Sequence, residues 1–324
     1  MGGGGTESPD SKKARTHAQA SPPPPVVLVW DIDETLVIFN SLQNGEWERA
    51  HSDSGAGEAQ ALGSQWSSAV LDLADSHLFY KQLETHGVMS LEDAAAADDG
   101  RDLASYDFDG DVVGRIQSCE GPAPASNDPG PCTPPPEAAY RYREAHRRYS
   151  LGLLADAALP SSDRLWHATD TLAAGWLTAA QGLLAACLAH LPVLLGAALG
   201  TPPHAGVRDH LPQVRHVAVT SSDLLPSLAK LALFRLDRFF AGRDVLSSRV
   251  HGKLECFARL RDRFPGSAAF VAIGDGREEE AAAAALGWPF IKVSLGRCTL
   301  GRAEKGGVPL TSLTVMEIAG ALGI

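Results

Sequence analysis

The chain has 324 residues, about twice a typical domain length of roughly 150. Apolar residues make up 44% and charged residues 21%, which excludes a mainly disordered or collagen-like protein. A net charge of −11 excludes a general nucleic-acid coat, because that binding works by neutralising phosphates.

Residues 1–25 read as a disordered arm closed by Pro22–Pro25. The arm has no apolar core and is not a secretory signal. Val26–Trp30 follows, a continuous apolar run that suits a central parallel strand buried on both faces. Residues 41–205 read as a helical insertion. Trp66–Glu84 and Tyr140–Ala158 carry apolar residues at helical spacing, and Thr171–Leu199 is densely apolar. Acidic Asp93–Asp111 reads as a solvated loop. Proline-rich Cys119–Glu137 reads as an irregular loop, with the Pro-rich stretch spanning 119–137. Tyr140–Tyr149 mixes Arg and Tyr and is expected to be a solvated helix face, while Trp66, Trp166 and Trp176 are expected in the core of the insertion.

Thr171–Val207 contains no Asp, Glu, Lys or Arg. A spanning helix needs about 20 apolar residues. Gln181, His190 and Pro192 interrupt this run, so a buried helix or helix pair is expected and no membrane partner. Beyond it, Val214–Val219, Ala268–Ile273 and the weaker Phe290–Val293 read as strands. Helical stretches at Leu224–Phe240 and Leu254–Phe264 lie between them. This alternation implies an α/β fold with a parallel sheet. Its core would combine residues 26–40 and 206–324, with the insertion placed after the first strand. The five cysteines, Cys119, Cys132, Cys187, Cys256 and Cys298, form no CxxC pair. Neither a disulfide framework nor a zinc site is expected.

The chemistry concentrates at strand ends. Asp31-Ile32-Asp33-Glu34-Thr35 directly follows the first strand, where open α/β sheets bind ligands. Two neighbouring carboxylates repel, and a hard cation such as Mg²⁺ relieves that repulsion. One carboxylate can then attack phosphorus while the other protonates the leaving oxygen. Gly274-Asp275-Gly276 follows the Ala268–Ile273 strand in a tight turn. Asp275 would complete the metal site, with Glu279 supporting it. Thr220-Ser221-Ser222-Asp223 offers hydroxyls and N–H groups at a helix start, a phosphate cradle. Lys253 precedes another helix and can neutralise the transferring group. Cys256 lies on a helix and is expected to be packing only.

The order of these elements resembles the haloacid dehalogenase (HAD) superfamily. Val29–Leu42, Asp75–Phe79, Gly100–Tyr106, Tyr140–Arg143, Leu224–Lys230, Gly252–Phe257 and Ile273–Glu280 look like the phosphatase domain of the Eyes absent (EYA) family. The resemblance covers roughly residues 26–295 and is closest to the short plant-type members. It implies a HAD-like, doubly wound parallel sheet with a large helical cap. It also implies a Mg²⁺-dependent protein tyrosine phosphatase. Asp31 would be the nucleophile and Asp33 the general acid and base. Asp31, Asp33 through its carbonyl, and Asp275 would hold the metal, while Thr220, Ser221 and Lys253 would bind phosphate. By the same resemblance a phosphotyrosine protein would be the substrate, transcription factors the partners, and the nucleus or cytoplasm the setting. The family tends to carry threonines and a Gln where this chain has Thr220-Ser221-Ser222-Asp223, so which hydroxyl meets phosphate stays open. Two other readings share the opening motif or the fold: a CTD-type serine phosphatase, and a coregulator module without catalysis.

Overall fold

The computed structural model describes residues 1, 24–51, 57–84, 86–108, 134–200, 211–264, 266, 268–295 and 307–324. Its centre is a parallel sheet of β1 (Val26–Trp30), β2 (Val214–Thr220), β3 (Val245–Ser247), β4 (Ala269–Gly274) and β5 (Phe290–Lys292). The strand order is β3-β2-β1-β4-β5. β1 is central and wholly buried, which explains its unbroken apolar run. Trp30 lies in register with Ala218 of β2 and Ile273 of β4. The residues that leave these three strands therefore emerge at one edge. β3 has no counterpart in the sequence reading, because three residues at a sheet edge are too few to show a pattern.

α9 (Leu224–Leu233), α10 (Gly252–Arg263) and α11 (Arg277–Leu286) connect the strands, and α12 (Val315–Ala321) closes the chain. The helix expected over Leu224–Phe240 stops at Leu233. Arg235 takes a left-handed φ of 61° and a 3₁₀ turn covers Asp237–Phe239.

Between β1 and β2 lie α1 (Asn40–Gln43), α2 (Glu46–Ala50), α3 (Glu58–Leu78), α4 (Tyr80–Leu83), α5 (Leu91–Ala95), α6 (Pro136–Ser150), α7 (Leu153–Leu172) and α8 (Trp176–Ala198). Left-handed residues cut the expected helices. Phe79 at φ 61° separates α3 from α4, and Gly152 at φ 72° separates α6 from α7. Gly175 at φ 86° opens α8, so Thr171 and Leu172 belong to α7. The proline-rich loop ends earlier than expected, since α6 starts at Pro136. Its residues 119–133, like residues 2–23 of the arm, lie outside the described residues.

Two segments expected to be solvated are partly built into the fold. α5 overlaps the start of acidic Asp93–Asp111, where Ala94 is buried while most of the described residues that follow are exposed. Ser90 and Asp93 form a capping box, and Arg259 meets Asp93 at 2.5 Å. In α6, Tyr140, Tyr142 and Tyr149 are buried. The Tyr142 hydroxyl donates to the His86 carbonyl at 2.6 Å and that of Tyr149 to the Phe240 carbonyl at 3.0 Å. Burial pushes both phenols above their ordinary range. A tyrosine can be buried once its one polar tip finds an acceptor, and here backbone carbonyls supply it.

The helical insertion and the sheet share one apolar core. Trp66 is fully buried, stacks on Phe234 of the sheet region at 4.2 Å and donates to the Thr169 hydroxyl at 2.8 Å. Trp176 donates to the Thr35 carbonyl at 3.2 Å, and Trp166 is buried. α8 is long and apolar enough to cross a membrane by length and composition. One of its faces, including Leu177, Leu184, Cys187 and Leu191, is buried in the protein.

Candidate active site

The site begins where β1 ends. The Asp31 N–H donates to the Ile273 carbonyl at 2.9 Å, so Asp31 is still tied to β4. The chain then folds back. Leu36 and Val37 N–H both donate to the Ile32 carbonyl, and Glu34 adopts a left-handed φ of 61°. The Glu34 carboxylate accepts the N–H of Phe39 at 3.0 Å and of Ser41 at 3.1 Å, which anchors the start of α1. Asp31 and Asp33 are both buried within this turn, at 7% exposure each. Residues two apart in extended chain share a face, so the D-x-D spacing presents both acids to one side.

Each acid has its own cation. Lys253, near the start of α10, places its ammonium on Asp31 Oδ1, donates to the Val219 carbonyl at 2.8 Å and reaches Glu279 Oε1 at 2.5 Å. Lys230, in the last turn of α9, bonds both oxygens of Asp33, at 2.6 and 2.9 Å. The Ser222 hydroxyl donates to Asp33 Oδ2 at 3.1 Å. The other expected phosphate-loop residues make no bond to either acid among the described residues. The Thr220 hydroxyl accepts the Ser222 N–H at 3.2 Å, and Ser221 is exposed.

Asp275 follows β4. Burial pushes its carboxyl up to about 6, with Glu279 and Glu34 adding to the rise and Lys253 opposing it. The flanking glycines leave space that Glu279 fills. A Cβ on Gly276 would lie 2.2 Å from Glu279 Oε2, and one on Gly274 3.1 Å from Glu279 Cγ and 3.4 Å from Asp31 Cβ. The Gly-Asp-Gly turn thus makes room for Glu279 to fold back from α11 onto Lys253.

Of the residues expected from sequence, the structure brings Asp31, Lys253 and Glu279 into contact at one edge and sets Asp275 within the field of Glu279. Sequence reasoning missed Lys230 and gave Ser222 no partner. The available signal was the lone Lys in the apolar run Leu224–Leu233, since a buried lysine must be paired.

The charges do not balance. Burial lifts the Asp31 carboxyl to about 7; Lys253 pulls it down, while Glu279 and Asp33 push it further up. Burial alone would lower the Lys253 pKa, but Asp31 and Glu279 outweigh it and hold it raised. The carboxyl's rise is the informative direction, because one ammonium shared by Asp31 and Glu279, with Asp275 close by, cannot neutralise all three. Glu34 Oε2 and Glu279 Oε2 are buried without a hydrogen-bond partner. Among the described residues, no group of three or more His, Cys, Asp or Glu side chains is placed to hold a metal ion. The excess of buried carboxylate oxygen is nonetheless the chemistry that a hard divalent cation satisfies.

The insertion reaches this site through α4. The Tyr80 hydroxyl donates to Asp223 Oδ2 at 2.9 Å, and Arg249 holds the same oxygen at 2.5 Å. Burial and the Asp223 carboxylate push the Tyr80 phenol up to about 12. Cys256 is fully buried, and burial pushes its thiol up to about 12, so it is packing.

No protein-family model matches the chain. It is 35% identical over 276 residues to Protein phosphatase EYA of Arabidopsis thaliana, covering 83% of this chain and 82% of that protein. It is 29% identical over 274 residues to Protein phosphatase EYA1 of Mus musculus. It is 28% identical over 297 residues to Protein phosphatase eya of Drosophila melanogaster. These two matches cover 43% and 35% of the animal proteins, so the chain spans less than half their length.

Proposed function

Because the chain belongs to the Eyes absent family of protein phosphatases, we propose that it is a Mg²⁺-dependent protein tyrosine phosphatase working through an aspartyl-phosphate. The observation that carries the reading is the pairing of Asp31 with Lys253 and of Asp33 with Lys230 at the carboxyl edge of β1. Two acids two residues apart, each on a separate ammonium, suit two separate roles.

In the first step an Asp31 carboxylate oxygen bonds to phosphorus. The bond from phosphorus to the phenolic oxygen breaks, that oxygen keeps the electron pair, and Asp33 supplies its proton. In the second step Asp33 takes a proton from water as the water oxygen attacks the phosphorus of the aspartyl-phosphate, freeing Asp31 and phosphate. Lys253 orients Asp31 and meets the phosphoryl charge, with Glu279 fixing the lysine. Thr220 and Ser221 are assigned to the phosphate by family likeness, and Ser222 joins them because it already touches Asp33. Asp31, Asp33 and Asp275 would hold Mg²⁺, which when bound neutralises charge on the phosphoryl group and the acids. Transcription factors as partners, and the nucleus or cytoplasm as setting, belong to the same proposal.

The test is phosphate release from phosphotyrosine and phosphoserine peptides, with Mg²⁺, with chelator, and after Mg²⁺ is restored. Mg²⁺-dependent release from phosphotyrosine peptides is expected. Asp31→Asn should lower it by more than ~10³-fold with an unchanged far-UV circular dichroism spectrum. Preference for phosphoserine would favour the serine-phosphatase reading. An inert wild type that still binds protein partners would favour the coregulator reading. An Asp31→Asn variant that kept more than about a tenth of the rate would remove Asp31 as nucleophile.

A further inference from the structure

We propose that Lys230 is a positioning residue that holds the Asp33 carboxyl against the leaving oxygen, so that it governs how much poor leaving groups are helped. The inference rests on the phosphatase reading above. Lys230 lies among the buried Leu228, Ala229, Leu231 and Ala232 of α9 and is itself 2% exposed. An ammonium persists in such surroundings only when paired. Its partners are both oxygens of Asp33, at 2.6 and 2.9 Å, and the face of Phe39, whose ring centre lies 4.0 Å away. Ser222 adds a third bond to the same carboxylate at 3.1 Å. Three bonds from two elements fix the plane of the Asp33 carboxyl and its distance from Asp31. Lys253 serves Asp31 and Glu279 instead, so it is not a substitute anchor.

In kcat/KM, the consequence is read in the first step alone. As the Asp31 oxygen bonds to phosphorus, the electron pair of the breaking P–O bond goes to the leaving oxygen, and the Asp33 proton lands there. A basic leaving group needs that proton in the transition state. 4-Nitrophenolate leaves with little help. Misplacing the donor by about 1 Å can cost ~10²-fold, and the loss falls on substrates that need the proton.

The experiment compares kcat/KM, which reports steps up to the phospho-enzyme, for phenyl phosphate and 4-nitrophenyl phosphate with Mg²⁺ present. Lys230→Met should lower the value for phenyl phosphate at least ~10-fold more than the value for 4-nitrophenyl phosphate. Adding Lys230→Met to an Asp33→Asn variant should leave the ratio of the two substrates within about twofold, because the lysine then has no donor to position. Equal losses on both substrates, or a ratio change that persists in the Asp33→Asn background, would overturn the proposal. If Lys230→Met fails to fold, Ser222→Ala decides, since it removes one bond of three. A smaller shift of the ratio in the same direction supports the proposal, and no shift overturns it. A wild type inactive on both substrates would instead sink the phosphatase reading.

Discussion

Trp30, the residue before the first catalytic candidate, shows how one side chain decides the chemistry of another. Its indole nitrogen can only donate, and it lies 2.9 Å from His216 Nδ1. That nitrogen must therefore accept, so Nε2 carries the hydrogen and donates to the Leu184 carbonyl at 3.0 Å. The ring is held neutral, and burial pushes its pKa down to about 4, the Leu184 carbonyl opposing the shift. In the unfolded chain the ordinary value is near 6.5. Between these values the unfolded state binds the extra proton, so the histidine's share of stability is lost as pH falls through 6.5 towards 4. The raised carboxyls of Asp31 and Asp275 act the other way, because the folded state keeps protons that the unfolded chain has shed. Comparison with a His216→Asn variant cancels them. From pH 7 to pH 4, wild type should lose on the order of 3 kcal/mol relative to the variant, read from urea midpoints. A constant difference would show that the histidine is not held neutral.

At this scale the sequence was informative where an acid stood at the end of an apolar run, as Asp31, Asp33 and Asp275 do. Lys253 and Glu279 are read instead from the helix starts that carry them. Lys230 could not be read either way, because its position in a helix says that it needs a partner but not which one.

The helices show where local pattern stops being enough. Gly63 sits inside α3, where glycine costs up to about 1 kcal/mol relative to alanine. Its reason lies in α1. A Cβ on Gly63 would meet the backbone nitrogen of Gln43 at 2.7 Å and the carbonyl carbon of Leu42 at 2.8 Å. Backbone cannot move aside as a side chain can. Gly63→Ala should therefore destabilise the protein by about 1–3 kcal/mol despite alanine's better helix propensity, seen as a lower urea midpoint at unchanged slope. A stabilised variant would show that α1 yields freely. The helix breaks have the same character. Gly152 carried a signal for the break after α6, since glycine accepts positive φ. Phe79, Ala174 and Arg235 also take positive φ, and nothing in those residue types announces it. At Phe79 the left-handed residue carries a ring that Arg141 and Arg148 flank at 4.1 and 4.4 Å.

Across the whole molecule, the insertion and the sheet are not separable layers. Trp66 against Phe234, Trp176 on the Thr35 carbonyl and Tyr149 on the Phe240 carbonyl tie them through the interior. The two should unfold together. Trp47, Trp66, Trp166 and Trp176 report on the insertion and Trp30 and Trp288 on the sheet region. Tryptophan fluorescence and far-UV circular dichroism should therefore trace one superimposable transition in urea. Two separated transitions would mean that the shared core contributes little.

What the sequence determined by itself is the parallel sheet, the long helical interruption after its first strand, and the edge at which the acids gather. Strands buried on both faces must be apolar throughout, and turns at their ends must carry the polar groups, so both leave local marks. Tertiary structure alone decided which cation meets which acid. Lys230 and Asp33 are 197 residues apart, Lys253 and Asp31 222. Pairing at such separation depends on how each helix seats against the sheet, and no local pattern along the chain records that seating.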